Sequence, residues 1–236
     1  MGNHYHAENT INLFLQKKIS VKKVDFFAIK IKIVHMQIDT IIENFRNRGY
    51  NAHYFKTPED AKKFLAEKIG TSATIGFGGS MTLKEIGLFE FLSESNKVYY
   101  HSAPDADEHT MEYANNATYY ISSANAITQS GDIVNIDGRG NRVAAAIYGA
   151  NRKEVFIVCG TNKITENIEQ AIWRAKNVAA PLNAKRLNRK TPCALKADKC
   201  YNCSSPERIC RVTSIMTRPV YNNPTTLILI EGEFGY

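Results

Sequence analysis

No apolar run approaches 18 residues anywhere in the 236-residue chain, which excludes a membrane-spanning helix. Internal repeats and low-complexity segments are also lacking. The start carries Asn, His and Glu rather than an apolar stretch before a small-residue cleavage site, so a secretory signal is not expected and a cytoplasmic setting is. Cysteine is scarce outside one segment. Of five, only Cys159 stands alone, closing the apolar run Val155–Val158, where it reads as a buried strand thiol. Acids are scarce between Arg174 and Arg218, where eleven Lys/Arg face two acids, Asp198 and Glu207. That segment carries +9 of a net charge of +7, the remainder of the chain being slightly acidic. Its aromatics are few, and no DNA- or RNA-binding motif appears, so nucleic acid is not the expected partner.

What is present is an ordinary globular composition, 44% hydrophobic and 22% charged. Residues 1–35 read as an arm apart from the rest, with Val24–Val34 alternating like a half-buried strand and His4 and His6 on a solvated terminus. From Met36 the pattern is helical, with Ile38, Ile41, Ile42 and Phe45 on one face and Gly49 as the stop. Thr57-Pro58 opens a second helix. Strands are predicted at Thr74–Phe77, Val98–Tyr100, Tyr119–Ser122, Ile133–Ile136, Val155–Cys159 and Leu227–Ile230. Helices are predicted at Thr82–Leu92, Asp105–Asn115, Arg142–Tyr148 and from Ile164 to Val178, the last closed by Pro181. This alternation predicts an α/β fold, a mostly parallel sheet flanked by helices, over 36–185. Residues 186–236 then form a Cys-rich segment and a final strand on the same domain.

Three loops carry anion-binding chemistry. Gly78-Gly79-Ser80, followed by Thr82, joins a strand to a helix, so backbone N–H groups and hydroxyls can face an anion. Thr82 and Glu85 equally read as a capping box. The loop lacks the Gly-Lys-Ser/Thr of a Walker motif and a true G-x-G-x-x-G. Asp137, Arg139, Asn141 and Arg142 cluster where a strand ends and a helix begins. Gly160, Thr161, Asn162 and Lys163 follow the next buried strand, at the same expected edge. In parallel sheets that edge is the usual ligand site. His101, Asp105, Asp107, Glu108 and His109 read as a solvated acidic first turn with Asp105 as its cap and Glu108 three residues on.

Cys193, Cys200, Cys203 and Cys210 have the spacing C-x6-C-x2-C-x6-C. In a reducing compartment clustered cysteines are metal ligands more often than disulfides. Four thiolates suit tetrahedral zinc or an iron–sulfur cluster equally. An anionic tetrathiolate centre would account for the surrounding cations.

In order, GFGGSMTLKEIGL at 76–88, SSANAITQSGDIVNIDGRGNRVAAAIYG at 122–149, GTNKI at 160–164, NVAAPLNAKRLNRKTPC at 177–193, CYNCSSPERIC at 200–210 and EGEFGY at 231–236 resemble the LUD-domain family of lactate-utilisation proteins, from about Met36 to the end. The resemblance implies a Rossmann-like fold related to ribose-phosphate isomerases, sugar-phosphate deaminases and CoA transferases, with the three loops lining the ligand site. It implies a small anionic metabolite as ligand and, for some members, work beside iron–sulfur and flavin oxidoreductase components. The four-cysteine tail marks a subset. No counterpart of the CoA-transferase glutamate is visible, and no catalytic base is assigned. The alternative is a stand-alone enzyme on a phosphorylated or CoA-linked molecule, with a structural zinc. A homo-oligomer fits so small a subunit.

Overall fold

The computed structural model describes residues 26–150 and 152–236, with side chains from 37 onward. The chain divides into two units, Met1–Gln37 and Ile38–Tyr236. The first described element is helix α1, Phe26–Asn47. The strand expected at Val24–Val34 is therefore helical from Phe26. No Gly or Pro interrupts Phe26–Asn47, so the helix set by the periodic isoleucines extends through the alternating stretch. His4 and His6 lie outside the described residues.

Ile38, Ile41, Ile42 and Phe45 bury one face of α1, and Gly49 follows at φ +90°. Strand β1 is Asn51–Phe55. Helix α2, Pro58–Ile69, starts with Thr57 accepting from the Asp60 amide and Pro in the first turn, where its missing N–H costs nothing. Strand β2 is Thr74–Phe77. The helix expected over Thr82–Leu92 is two, α3 (Met81–Glu85) and α4 (Leu88–Ser93). Gly87 sits between them at φ +65°, a left-handed conformation that ends the first helix. Strand β3 (Lys97–Tyr100), helix α5 (Thr110–Asn116) and strand β4 (Tyr119–Ser122) follow. Helix α5 begins five residues later than expected. Asp107, not Asp105, accepts at its start, from the His109 amide at 3.1 Å and the Thr110 hydroxyl at 2.8 Å.

Next come β5 (Ala126–Thr128), β6 (Ile133–Asp137), α6 (Asn141–Ile147) and β7 (Glu154–Gly160). A 3-10 turn, Thr161–Lys163, leads to β8, Ile164–Thr165. Ile164 thus belongs to a strand rather than to the helical stripe. Helix α7 (Ile168–Arg174) continues through a π turn, Ala175–Ala179, into α8, Ala180–Arg186. Pro181 was expected to close this helix and does not. The wider π turn, in which the Ala180 amide bonds back to the Ala175 carbonyl, shifts the hydrogen-bond register just before Pro181 and carries the helix past it. Helix α9 (Pro192–Lys196), β9 (Val212–Met216) and β10 (Thr225–Ile230) complete the chain.

Six strands form one parallel sheet in the order β1-β10-β7-β4-β2-β3, the mostly parallel α/β architecture expected. Both faces are covered. Phe156, Val158, Ile228 and Ile230 point into a core with Leu65 of α2 and Leu83 of α3. Val155, Ile157, Leu227 and Leu229 point into the opposite core with Phe45 of α1 and Ala145 of α6. This alternation across a doubly covered sheet explains why these strands read as continuous apolar runs. Strands β8-β5-β6-β9 form a second, largely antiparallel sheet. Strand β6, expected in the main sheet, belongs to this one. Among the described residues, no helix is long and apolar enough to cross a membrane.

Candidate functional site

Parallel pairing places the carboxyl ends of all six main strands at one edge. Gly78 follows β2, His101 follows β3, Ser123 follows β4, Thr161 follows β7 and Glu231 follows β10. The small sheet brings Asp137 to the same place from the side. Between them lies a cavity of about 370 Å³, within the size range of small-molecule sites.

Seven of the residues predicted from sequence line it: Gly79, Ser80, Asp137, Arg139, Asn141, Arg142 and Lys163. The structure brings these together from three loops distant in sequence. The other five stand behind the wall. Gly78 packs against the hydroxyls of Ser122 and Tyr120, which lie where a side chain would begin. Gly160 packs beside the Asn162 side chain and the Gly232 carbonyl. Thr161 exchanges bonds with Gly232, its hydroxyl donating to the carbonyl at 3.2 Å and accepting from the amide at 3.0 Å. Asn162 donates to the Gly235 carbonyl at 3.2 Å and accepts from the Phe234 amide at 3.4 Å. This loop therefore holds the Gly232–Tyr236 segment.

Thr82 has a different role from the capping box. Ser80 caps α3, its hydroxyl accepting from the Leu83 amide at 3.3 Å. Thr82 is fully buried and donates to the Phe234 carbonyl at 2.9 Å. Glu85 reaches away from the helix start to accept from the Gly235 amide at 2.6 Å. Gly235 adopts φ +61°, and a Cβ there would lie 2.8 Å from both the amide and the hydroxyl of Thr82. The tail closes onto Thr82 because that position is glycine.

Lys163 is 3% exposed, and its ammonium donates to Thr82 Oγ1 at 2.8 Å and Ser123 Oγ at 3.0 Å. Burial pulls its pKa down to about 8, Cys159 opposing this and Arg174 and Arg142 adding to it.

The wall is cationic. Arg139, Arg142, Arg186 and Arg189 line the cavity with Lys163, and among the described residues Asp137 is the only acidic side chain lining it. That carboxylate is fully engaged as an anchor. One oxygen accepts from the Arg139 and Gly140 amides at 3.0 Å each, and the other from the Arg142 and Val143 amides at 3.0 and 3.2 Å. Arg142 ties the walls, donating to the Ile136 carbonyl at 2.6 Å and the Gly79 carbonyl at 3.4 Å. His101 reports the field. Desolvation of its ring, then Arg139, Arg142 and Arg186, hold its pKa below the ordinary histidine value.

Sequence reasoning missed Ser123, His101, Arg186, Arg189 and Tyr236 as lining residues. Arg186 and Arg189 were visible within the basic segment, but periodicity gave them no spatial address. Ser123 stood in the SSANAIT stretch beside a predicted strand end, and that position was the available signal.

The four clustered cysteines have donor chemistry suited to a metal. All are free and partly buried, and the Asn202 amide donates to Cys200 Sγ at 3.3 Å. Among the described residues, no group of three or more His, Cys, Asp or Glu side chains is arranged to hold a metal ion. Cys200, Cys203 and Cys210 gather around a cation. Arg208 donates to Cys210 Sγ at 3.3 Å and to the Cys203 carbonyl at 2.8 Å. The Cys210 bond, with Cys203 and Cys200 adding to it, holds the guanidinium above the ordinary arginine value. Cys193 sits apart in this respect, its Sγ 3.3 Å from the Thr191 hydroxyl. The Ile209 segment beside these cysteines contributes to the cavity wall.

Residues 38–230 match the family described as LUD domain. The fold is similar to a duf162 family protein from Deinococcus radiodurans, at TM-score 0.48 and 10% identity, covering 84% of this chain and 98% of that one. A weaker similarity links it to eIF2B beta from Chaetomium thermophilum, at TM-score 0.31 and 18% identity, covering 60% of this chain and 48% of that one. Comparison with curated proteins finds no match by sequence.

Proposed function

This chain belongs to the LUD domain family, and on that premise we propose that it binds a small anionic metabolite of lactate or related organic-acid utilisation in the cavity at the sheet edge. One observation carries the reading. Five cationic side chains line the cavity, and among the described residues its only acidic side chain, Asp137, is engaged by four amides at the start of α6 and by Arg142 Nε at 3.8 Å. A pocket with unbalanced positive charge and amide donors recognises carboxylates and phosphates. Supporting it, the basic segment sends Arg186 and Arg189 to this wall, so its charge has a use besides the cysteines.

The test is thermal unfolding across a panel of hydroxy acids, sugar phosphates and CoA esters. Specific stabilisation by one anion class, weakened in Arg139→Ala and Arg189→Ala, is expected. A flat panel sinks the reading. A response to phosphates or CoA esters alone selects the alternative, a stand-alone enzyme on such molecules.

The accessory role beside iron–sulfur or flavin oxidoreductase subunits is part of the same proposal. So is zinc or an iron–sulfur cluster at Cys193, Cys200, Cys203 and Cys210. Metal and sulfide analysis of anaerobically purified protein tests it. Iron with acid-labile sulfide favours electron transfer, one zinc favours a structural clamp, and neither metal removes the proposal.

A further inference from the structure

We propose that Ser123 is a nucleophile whose proton Lys163 removes, and that the pair hydrolyses a small anionic ester or thioester in this cavity. The inference rests on the anion-binding reading for its substrate's charge, and on separate geometry for its chemistry.

Ser123 directly follows β4, at the edge where ligands of parallel sheets bind. Its Oγ lies 3.0 Å from Lys163 Nζ, and both residues line the cavity. Thr82 gives its own hydrogen to the Phe234 carbonyl, so towards Lys163, 2.8 Å away, it acts as an acceptor. In the protonated state Lys163 donates to both hydroxyls and Ser123 donates to Thr82 Oγ1 at 3.3 Å. Once Lys163 is neutral, rotation of the Ser123 hydroxyl turns its hydrogen from Thr82 to the Nζ lone pair. An amine paired with a serine is one of the recurring variants of the nucleophile–base arrangement.

The groups facing Lys163 favour its neutral form. Arg142 of α6 and Arg174 of α7 oppose its charge, and Cys159 of β7 and Glu85 of α3 support it. Burial outweighs all four, so a substantial neutral fraction exists at mildly alkaline pH. No salt bridge to Lys163 is found among the described residues.

Ser123 Oγ attacks the acyl carbon while Nζ takes the Oγ proton. The carbon–oxygen or carbon–sulfur bond to the leaving group breaks, and Nζ returns that proton to the departing alkoxide or thiolate. Water then attacks the acyl-serine with Nζ again as base, the Oγ–carbon bond breaks, and the proton goes back to Oγ. The products are the acid and an alcohol or thiol, and no oxidant or reductant is needed. The substrate class follows from the wall, where Arg139, Arg186 and Arg189 suit an acyl group carrying a free carboxylate.

The probes are p-nitrophenyl acetate and mono-p-nitrophenyl succinate, applied to the full chain. Expected are a burst of p-nitrophenolate near one equivalent, faster for succinate, and one acyl group mapped to Ser123 by peptide mass spectrometry. Ser123→Ala abolishes the burst. Lys163→Arg keeps the charge but supplies no base, and slows acylation by about 100-fold. The wild-type rate rises through a midpoint of about 8, and Lys163→Arg loses that midpoint. Acylation of Lys163 or of scattered residues, no acylation, or an unchanged burst in Ser123→Ala overturns the proposal. Mapping on the wild type decides even where a variant fails to fold. Anions that stabilise wild type and Ser123→Ala alike, with no acyl-serine formed, sink the nucleophile and leave the binding reading standing. Acyl-Ser123 formed equally from both esters, with a flat anion panel, sinks the binding reading instead.

Discussion

The Thr82 hydroxyl donates to the Phe234 carbonyl at 2.9 Å, and the same oxygen accepts from buried Lys163 at 2.8 Å. Through this atom the start of α3, the turn after β7 and the tail after β10 are held in one arrangement. A hydroxyl at position 82 is therefore structural for the site, whatever ligand enters.

Thr82→Val preserves shape and removes the hydroxyl, leaving a buried ammonium with one partner fewer. Loss of a buried polar partner costs about 1–3 kcal/mol. Urea unfolding at pH 7 is the measurement, and a change below about 0.5 kcal/mol, the range of surface substitutions, contradicts this role.

Gly235→Ala puts a Cβ against Thr82 at a positive φ. A non-glycine residue in this region costs about 1–2 kcal/mol before the clash is counted. The expected outcome is a lower Tm and faster amide exchange over 232–236, with the central strands unaffected. Unchanged exchange in the tail would show that it does not seat as described.

Lys163 gives stability a pH signature. Its folded pKa is depressed to about 8, against about 10.4 for an unfolded lysine. Between these values the unfolded state binds more protons, so stability rises with pH. Below the window the buried charge is at its full cost, and above it the cost is gone. Tyr50 and Tyr54, raised chiefly by burial, work in the opposite sense above pH 10. The difference between wild type and Lys163→Met isolates the lysine. Wild type should gain on the variant from pH 8 to 10, and parallel curves would refute the depressed value.

Asp137→Ala removes acceptors for four amides at the turn into α6. Loss of a single cap costs about 0.5–2 kcal/mol, and a larger value is expected here. Equilibrium unfolding checks this, and anion binding should fall as well because the turn carrying Arg139 and Arg142 loosens. A destabilised variant with unimpaired anion binding would place the ligand elsewhere.

Much of the central sheet was legible because doubly buried parallel strands are written as apolar runs. Val155–Cys159 and Leu227–Ile230 announce themselves in this way. Strands β1, β5 and β9 did not. Asn51–Phe55 carries His and Tyr at an edge, Ala126–Thr128 is too short for periodicity, and Val212–Met216 is largely exposed. The π turn before Pro181 was also invisible, since it depends on hydrogen-bond register rather than residue type.

By itself, the sequence determined that three glycine- and cation-bearing turns follow strands, that positive charge concentrates between Arg174 and Arg218, and that four thiols cluster within that segment. Those are local properties, fixed by residue type and spacing. Only the tertiary structure decided that Asn162 holds the tail and that Ser123 meets Lys163. Each of these depends on which strand ends are neighbours. The order β1-β10-β7-β4-β2-β3 brings Ser123 to Lys163 and Glu85 to Gly235, 40 and 150 positions apart, and no periodicity within a single element encodes that pairing.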